Sequence, residues 1–165
     1  MLKDYPPLHL PPIKLRVKRT VNLASLPKVW DPLRRVYIVL TREEWVRQHV
    51  IQLLISRYNI PQLQIIAEYP VLLNGQPQRA DLVIVDSLQR VRLLVECKAP
   101  EVKISQSTLD QAVRYNSQLK AQYIMLTNGL SHHLYKYEDG EYITLSQLPA
   151  DFISKYPLHN VSEVR

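Results

Sequence analysis

The chain has 165 residues, 46% hydrophobic and 22% charged, enough for one globular domain with a real core. No apolar run reaches the roughly 18 residues of a membrane-crossing helix, and one cysteine excludes an internal disulfide, which together point to a cytoplasmic protein with no membrane partner. The net charge is +6 and its whole surplus lies before position 41; three glycines are too few for a phosphate-cradling loop.

In chain order, residues 1–12 carry Pro6, Pro7, Pro11 and Pro12. They are expected as an extended arm without an apolar signal core. Over 13–21, apolar Ile13, Leu15 and Val17 alternate with basic Lys14, Arg16 and Lys18, the pattern of a strand with one wet, cationic face. Such a face is the footprint of a nucleic-acid binder, and equally a means of staying soluble. Pro27 and Pro32 punctuate a loop, and 36–40 reads as a strand. Thr41 fits the N-cap of a helix reaching about Tyr58. Glu44 completes a capping box there, and Leu40 staples to Trp45.

A strand over 63–71 and an Asn74-Gly75 turn lead into a central hairpin with apolar runs at 82–85 and 91–95. Past Pro100, Thr108 is expected to cap a second helix reaching about Leu119, which puts Gln111 and Tyr115 on one face. Strands over 122–127, 134–137 and 142–145 follow, the last two joined at Asp139-Gly140. His132 and His133 are neighbours on a strand, point to opposite faces and make no zinc site. The organisation expected is a basic arm over 1–35, a main domain over 36–145 and a polar, loosely held tail over 146–165.

The chemistry concentrates in the hairpin. With 87–90 as its loop, Asp81 stands opposite Glu96 and shares its face, β-carbons about 4.5–5.5 Å apart. Lys98 points the same way and Cys97 the other. Two carboxylates that close repel unless something neutralises them. Oxygen donors of this kind suit Mg²⁺ or Mn²⁺. A plain Glu96–Lys98 salt bridge is the bland alternative.

Asp81, followed on the next strand by Glu96-Cys97-Lys98, resembles the PD-(D/E)XK nuclease superfamily, with Ala80 where proline is usual. The wider frame resembles the N-terminal nuclease domain of type I restriction enzyme R subunits over about residues 30–145. That frame is Glu43-Glu44-Trp45-Val46-Arg47-Gln48, Glu68, Arg79-x-Asp81, Glu96-Cys97-Lys98-Ala99-Pro100, and Gln111 four before Tyr115. The resemblance implies an α/β, restriction-endonuclease-like fold, a mixed central sheet flanked by helices. It implies a Mg²⁺- or Mn²⁺-dependent deoxyribonuclease that leaves a 5′-phosphate. Asp81, Glu96 and the Cys97 carbonyl would hold the ion, and Lys98 would activate water.

Glu44, with Glu43 beside it, has two readings: helix cap, or third carboxylate at the metal. Glu68 likewise either assists the metal or has a solvated or structural role. Gln111 is expected to assist catalysis. Tyr115, Arg47, Arg79, Lys14, Arg16 and Lys18 are expected to hold nucleic acid. The partners implied are DNA, a separate motor or specificity subunit, and a second copy of the chain. Rival readings keep the fold as a non-cleaving nucleic-acid-binding or assembly module, or as a repair or resolvase nuclease.

Overall fold

The computed structural model describes residues 2, 4–19 and 26–153. It holds a small antiparallel sheet, β1 (Val17–Lys18), β2 (Lys28–Asp31) and β3 (Val36–Val39), followed by helix α1 (Arg42–Arg57). A six-stranded sheet then forms in chain order: β4 (Ile65–Leu73), β5 (Gln76–Val85), β6 (Val91–Cys97), β7 (Tyr123–Thr127), β8 (His132–Glu138) and β9 (Glu141–Leu145). Its neighbours are antiparallel except β6 and β7, which run parallel. A parallel pair needs a crossover, and α2 (Gln106–Leu119) supplies it. The architecture is α/β with a mixed sheet, as expected.

One helix lies on each face of that sheet, which explains the apolar run of β6. Leu93, Val95 and Cys97 pack with Val46, Val50, Ile51 and Leu54 of α1. Leu94 packs on the other side with Val83, Val85, Ile124 and Leu126 against Ala112 and Tyr115 of α2. A strand covered on both faces has no polar alternation to show. The turns read from the sequence are present: Asn74 and Gly75 take φ of 49° and 75°, and Asp139 and Gly140 take 51° and 89°.

The central hairpin pairs Leu82 with Val95, Val83 with Leu94 and Ile84 with Leu93. The register then slips, so that Val85 rather than Asp86 faces Val91. Asp86 instead closes the turn, accepting from the amides of Leu88 and Arg90 and from the Arg90 guanidinium. The slip falls at the loop end. The open end keeps the register that brings Asp81 to Glu96.

Several boundaries differ from the sequence reading. Of the strand expected over 13–21, Val17–Lys18 pairs, while Thr20 and Val21 lie outside the described residues. The expected loop between Pro27 and Pro32 holds β2, with the prolines just beyond its ends, where their missing N–H breaks no ladder. The strand expected over 36–40 is β3, which pairs with β2 in the small sheet. Ser105, not Thr108, is the N-cap of α2; the Ser105 amide donates to Thr108 Oγ1 at 3.3 Å.

The tail is packed as far as it is described. Leu148 and Phe152 are buried, and the Phe152 ring stands edge-on to Tyr58 and Tyr123. Residues 154–165 lie outside the described residues. The proline-rich arm has no helix or strand among its described residues: it turns at Asp4–Tyr5, bends at His9–Leu10 and is docked. Trp45 Nε1 donates to the Pro6 carbonyl at 3.0 Å, and the His9 amide to the Gly129 carbonyl at 2.7 Å. Gly129 combines φ of 83° with so close an approach of Leu8 that a Cβ would sit 2.7 Å from its Cδ2. No helix among the described residues is long and apolar enough to cross a membrane.

Candidate active site

The open end of the β5–β6 pair joins the two carboxylates. Asp81 Oδ2 accepts from the Cys97 amide at 2.7 Å, and the Asp81 amide reaches Glu96 Oε1 at 3.5 Å. Asp81 Oδ1 accepts from Arg47 Nη2 at 2.8 Å. Strand geometry therefore brings Asp81 and Glu96 together, and α1 lays a guanidinium on one of them.

Arg47 is the hub. Its Nη1 lies 2.7 Å from Glu44 and 3.0 Å from Glu68. Its Nη2 lies 2.8 Å from Asp81 and 3.3 Å from Glu43. Glu43 and Glu44 stand four and three residues before it, on the same helical face. Glu68 enters from β4 at a φ of 55°, a left-handed kink in the strand. Burial alone would weaken the guanidinium's charge; Asp81, Glu44 and Glu68 outweigh it and hold the pKa above the ordinary arginine value. Expected among the nucleic-acid contacts, Arg47 is only 6% exposed and already committed to four carboxylates.

Glu44 is no capping-box partner. Thr41 does cap α1, accepting from the Glu44 amide at 3.0 Å, but the Thr41 amide donates to the Val39 carbonyl. The Glu44 carboxylate instead accepts from Arg47 and Gln48 and lies 3.5 Å from Arg34. The α1 carboxylate that feels the central pair is Glu43. Burial, then the charge of Asp81, raises its pKa, while Arg47 and Lys98 oppose the shift. The signal that could have singled it out is the four-residue spacing from Glu43 to Arg47.

Glu96 is 3% exposed. Burial, and next the charge of Asp81, push its carboxyl pKa to about 8, with Lys98 pulling it down. Among the described residues it has no ion pair; its hydrogen bond comes from the Asp81 amide. Lys98 is half-buried, its amide held by the Thr127 carbonyl at 2.8 Å. Its charge reaches both Glu96 and Glu43. The Cys97 thiol is fully buried and pushed well above its usual pKa by burial and Asp81, so it is no nucleophile.

Of the other expected residues, Arg79 touches the edge of this cluster, and the rest make no hydrogen bond to it among the described residues. Gln111 donates to the Tyr115 hydroxyl at 3.1 Å, and the Tyr115 ring packs in the α2-side core. No hydrogen bond joins either to Asp81, Glu96 or Lys98 among the described residues. Arg79 is exposed at the rim, 3.9 Å from Glu68. Lys14, Arg16 and Lys18 are exposed, on or just before the small sheet.

Among the described residues, no three His, Cys, Asp or Glu side chains form a ready metal-binding group. The donor chemistry still fits a hard divalent ion. Each carboxylate oxygen has two lone pairs, so Asp81 keeps acceptor capacity beside its two bonds. Glu96 is a buried carboxyl with no ion pair among the described residues, and Lys98 is the cation whose charge reaches it.

Residues 42–149 match the family model for the type I restriction enzyme R protein N terminus. A solved fragment described as an HsdR subunit of a type I restriction enzyme from Vibrio vulnificus YJ016 has a TM-score of 0.53 to this chain and is 23% identical over 70% of it. The chain spans 25% of that fragment, and the likeness speaks for the fold alone. No curated protein matches the chain.

Proposed function

We propose that this chain, which belongs to the family of type I restriction enzyme R protein N termini, is a metal-dependent DNA nuclease domain of a restriction system. The observation that carries the reading is Glu96, a carboxyl buried to 3% exposure, its pKa pushed to about 8, hydrogen-bonded by the Asp81 amide and without an ion pair among the described residues. A carboxyl buried in this way keeps a proton near neutral pH, and its ionised form calls for a cation beside it.

Asp81 and Glu96, with the Cys97 carbonyl, would hold Mg²⁺ or Mn²⁺. Bound there, the ion supplies polarisation of the scissile phosphodiester and a lower pKa for water. Lys98, anchored by its backbone at the end of β6, orients the attacking water and offsets charge growing on the phosphoryl oxygens. Arg47 is a positioning residue: through Nη2 it fixes Asp81 and ties α1 to the strand. Glu43 adds negative charge that favours a cation. Arg79, open at the rim, is the phosphate contact nearest the cluster, and the Gln111–Tyr115 pair braces α2 behind it. Cleavage leaving a 5′-phosphate, and a separate motor or specificity subunit, complete the proposal.

A non-cleaving binding module is the second reading, and one observation favours it: Arg47 already neutralises Asp81 at 2.8 Å. Calorimetric titration of Mg²⁺ and Mn²⁺, beside cleavage of linear, circular and single-stranded DNA, decides between them. The ion is expected to bind the wild type and Lys98→Ala but not Asp81→Asn or Glu96→Gln, and only the wild type is expected to cut. A wild type that neither binds a divalent ion nor cuts any nucleic acid leaves the binding module.

A further inference from the structure

The small sheet precedes the residues that match the family model, so the family assigns it no role. Its register sets Lys18 opposite Lys28, Lys28 opposite Val39, and Trp30 opposite Tyr37. Alternate residues share a face. Lys18, Lys28, Trp30, Tyr37 and Val39 therefore lie on one side, and Val29, fully buried, lies on the other. Arg16 joins the first side with its guanidinium 5.2 Å from the Trp30 ring centre, and Lys18 Nζ stands 3.9 Å from that of Tyr37. The two rings are 5.3 Å apart.

Two features of this face call for an anion. Lys18 and Lys28 are directly opposed, and like charges in a cross-strand pair destabilise a sheet. Nor do Lys14, Arg16, Lys18, Arg19 or Lys28, all exposed, form an ion pair among the described residues. The rings say which anion. A duplex offers phosphates but keeps its base faces stacked inside, whereas an unpaired strand offers phosphates and base faces together.

We propose that the β1–β2–β3 sheet is a docking platform for single-stranded nucleic acid, with bases stacking on Trp30 and Tyr37 and phosphates taken by Arg16, Lys18 and Lys28. The proposal rests on the reading that nucleic acid is this protein's substrate, and it names the form of the strand that the chain holds. Arg16 and Lys18 already lie over the rings, so a bound base displaces or extends a stack that exists. Binding also relieves the Lys18–Lys28 repulsion.

The test uses the full chain carrying Asp81→Asn, in EDTA, so that no cutting interferes. Labelled oligothymidylate, oligouridylate and a duplex of equal length are titrated and followed by fluorescence anisotropy. Single strands are expected to bind more tightly than the duplex, and the ratio of the two oligonucleotides distinguishes DNA from RNA as the source. Trp30→Ala and Tyr37→Ala are each expected to weaken single-strand binding roughly tenfold and leave duplex binding unchanged. Lys18→Gln with Lys28→Gln, both at exposed positions, is expected to weaken every probe and lower the salt slope by about two. Trp30 is half-buried, so Trp30→Phe, which keeps a ring, serves as its folding control. Equal affinity for duplex and single strand, or binding and salt slope unchanged in Tyr37→Ala and in the lysine pair, overturns the platform. Such a result leaves the nuclease reading standing, since metal titration and cleavage report on Asp81 and Glu96; failure of those assays with single-strand binding retained removes the nuclease and keeps the platform.

Discussion

Arg47 makes the acidic cluster tolerable, because it lies within 3.3 Å of four carboxylates, one of them the nearly buried Glu44. Arg47→Met leaves Glu44 and Asp81 without that counter-ion. The expected loss is about 3–5 kcal/mol in urea unfolding at neutral pH, the range for breaking a buried pair from one side. Arg47→Lys is expected to recover only part of it, since an ammonium cannot fork between two pairs of carboxylates. Glu96 gives a pH signature. Its folded pKa of about 8 lies above the usual 4.5, so between those values the folded state keeps a proton that the unfolded chain has released. The contribution of Glu96 to metal-free stability is therefore greatest below pH 4.5, falls as pH rises, and levels off above about 8. Thermal melts in EDTA across that window are expected to show the difference between wild type and Glu96→Gln shift against the wild type as pH rises.

At the scale of elements, α1 carries the cluster, and Thr41 caps it. Thr41→Ala is expected to cost about 1 kcal/mol in denaturant unfolding. Glu44→Gln retains a side chain able to cap, so a capping role alone predicts little change. The carboxylate actually faces Arg47 and Arg34, and Glu44→Gln is expected to lower the melting temperature more than Thr41→Ala does. The segment after β9 is a second element whose weight comes from packing. Phe152 is 1% exposed between Tyr58 and Tyr123, and Phe152→Ala is expected to cost about 3–5 kcal/mol in the same measurement.

For the whole molecule, a divalent ion that binds only the folded chain raises its stability with the logarithm of concentration. Mg²⁺ or Mn²⁺ is expected to raise the melting temperature of the wild type, and Asp81→Asn to abolish the rise. Relief of carboxylate repulsion by itself would make metal-free Asp81→Asn more stable. Because Asp81 also holds Arg47 and the Cys97 amide, the variant is expected to melt below the wild type in EDTA. What the sequence by itself determined is the meeting of Asp81 and Glu96. Two apolar runs of fixed length around a short loop leave few alignments, and a slip of one residue would turn the buried sets to the wrong face. The Asn-Gly and Asp-Gly turns and the cap at Thr41 were legible for the same reason: each is a contract between residues a few positions apart. Only the tertiary structure decided that Arg47 sits inside the cluster, because its four partners come from α1, β4 and β5. It likewise decided that Glu43 and Glu44 both gather on Arg47, that 36–39 joins a separate sheet, and that Phe152 enters the core. Local periodicity says which face of an element is apolar or charged; which faces meet depends on the packing of segments far apart in the chain.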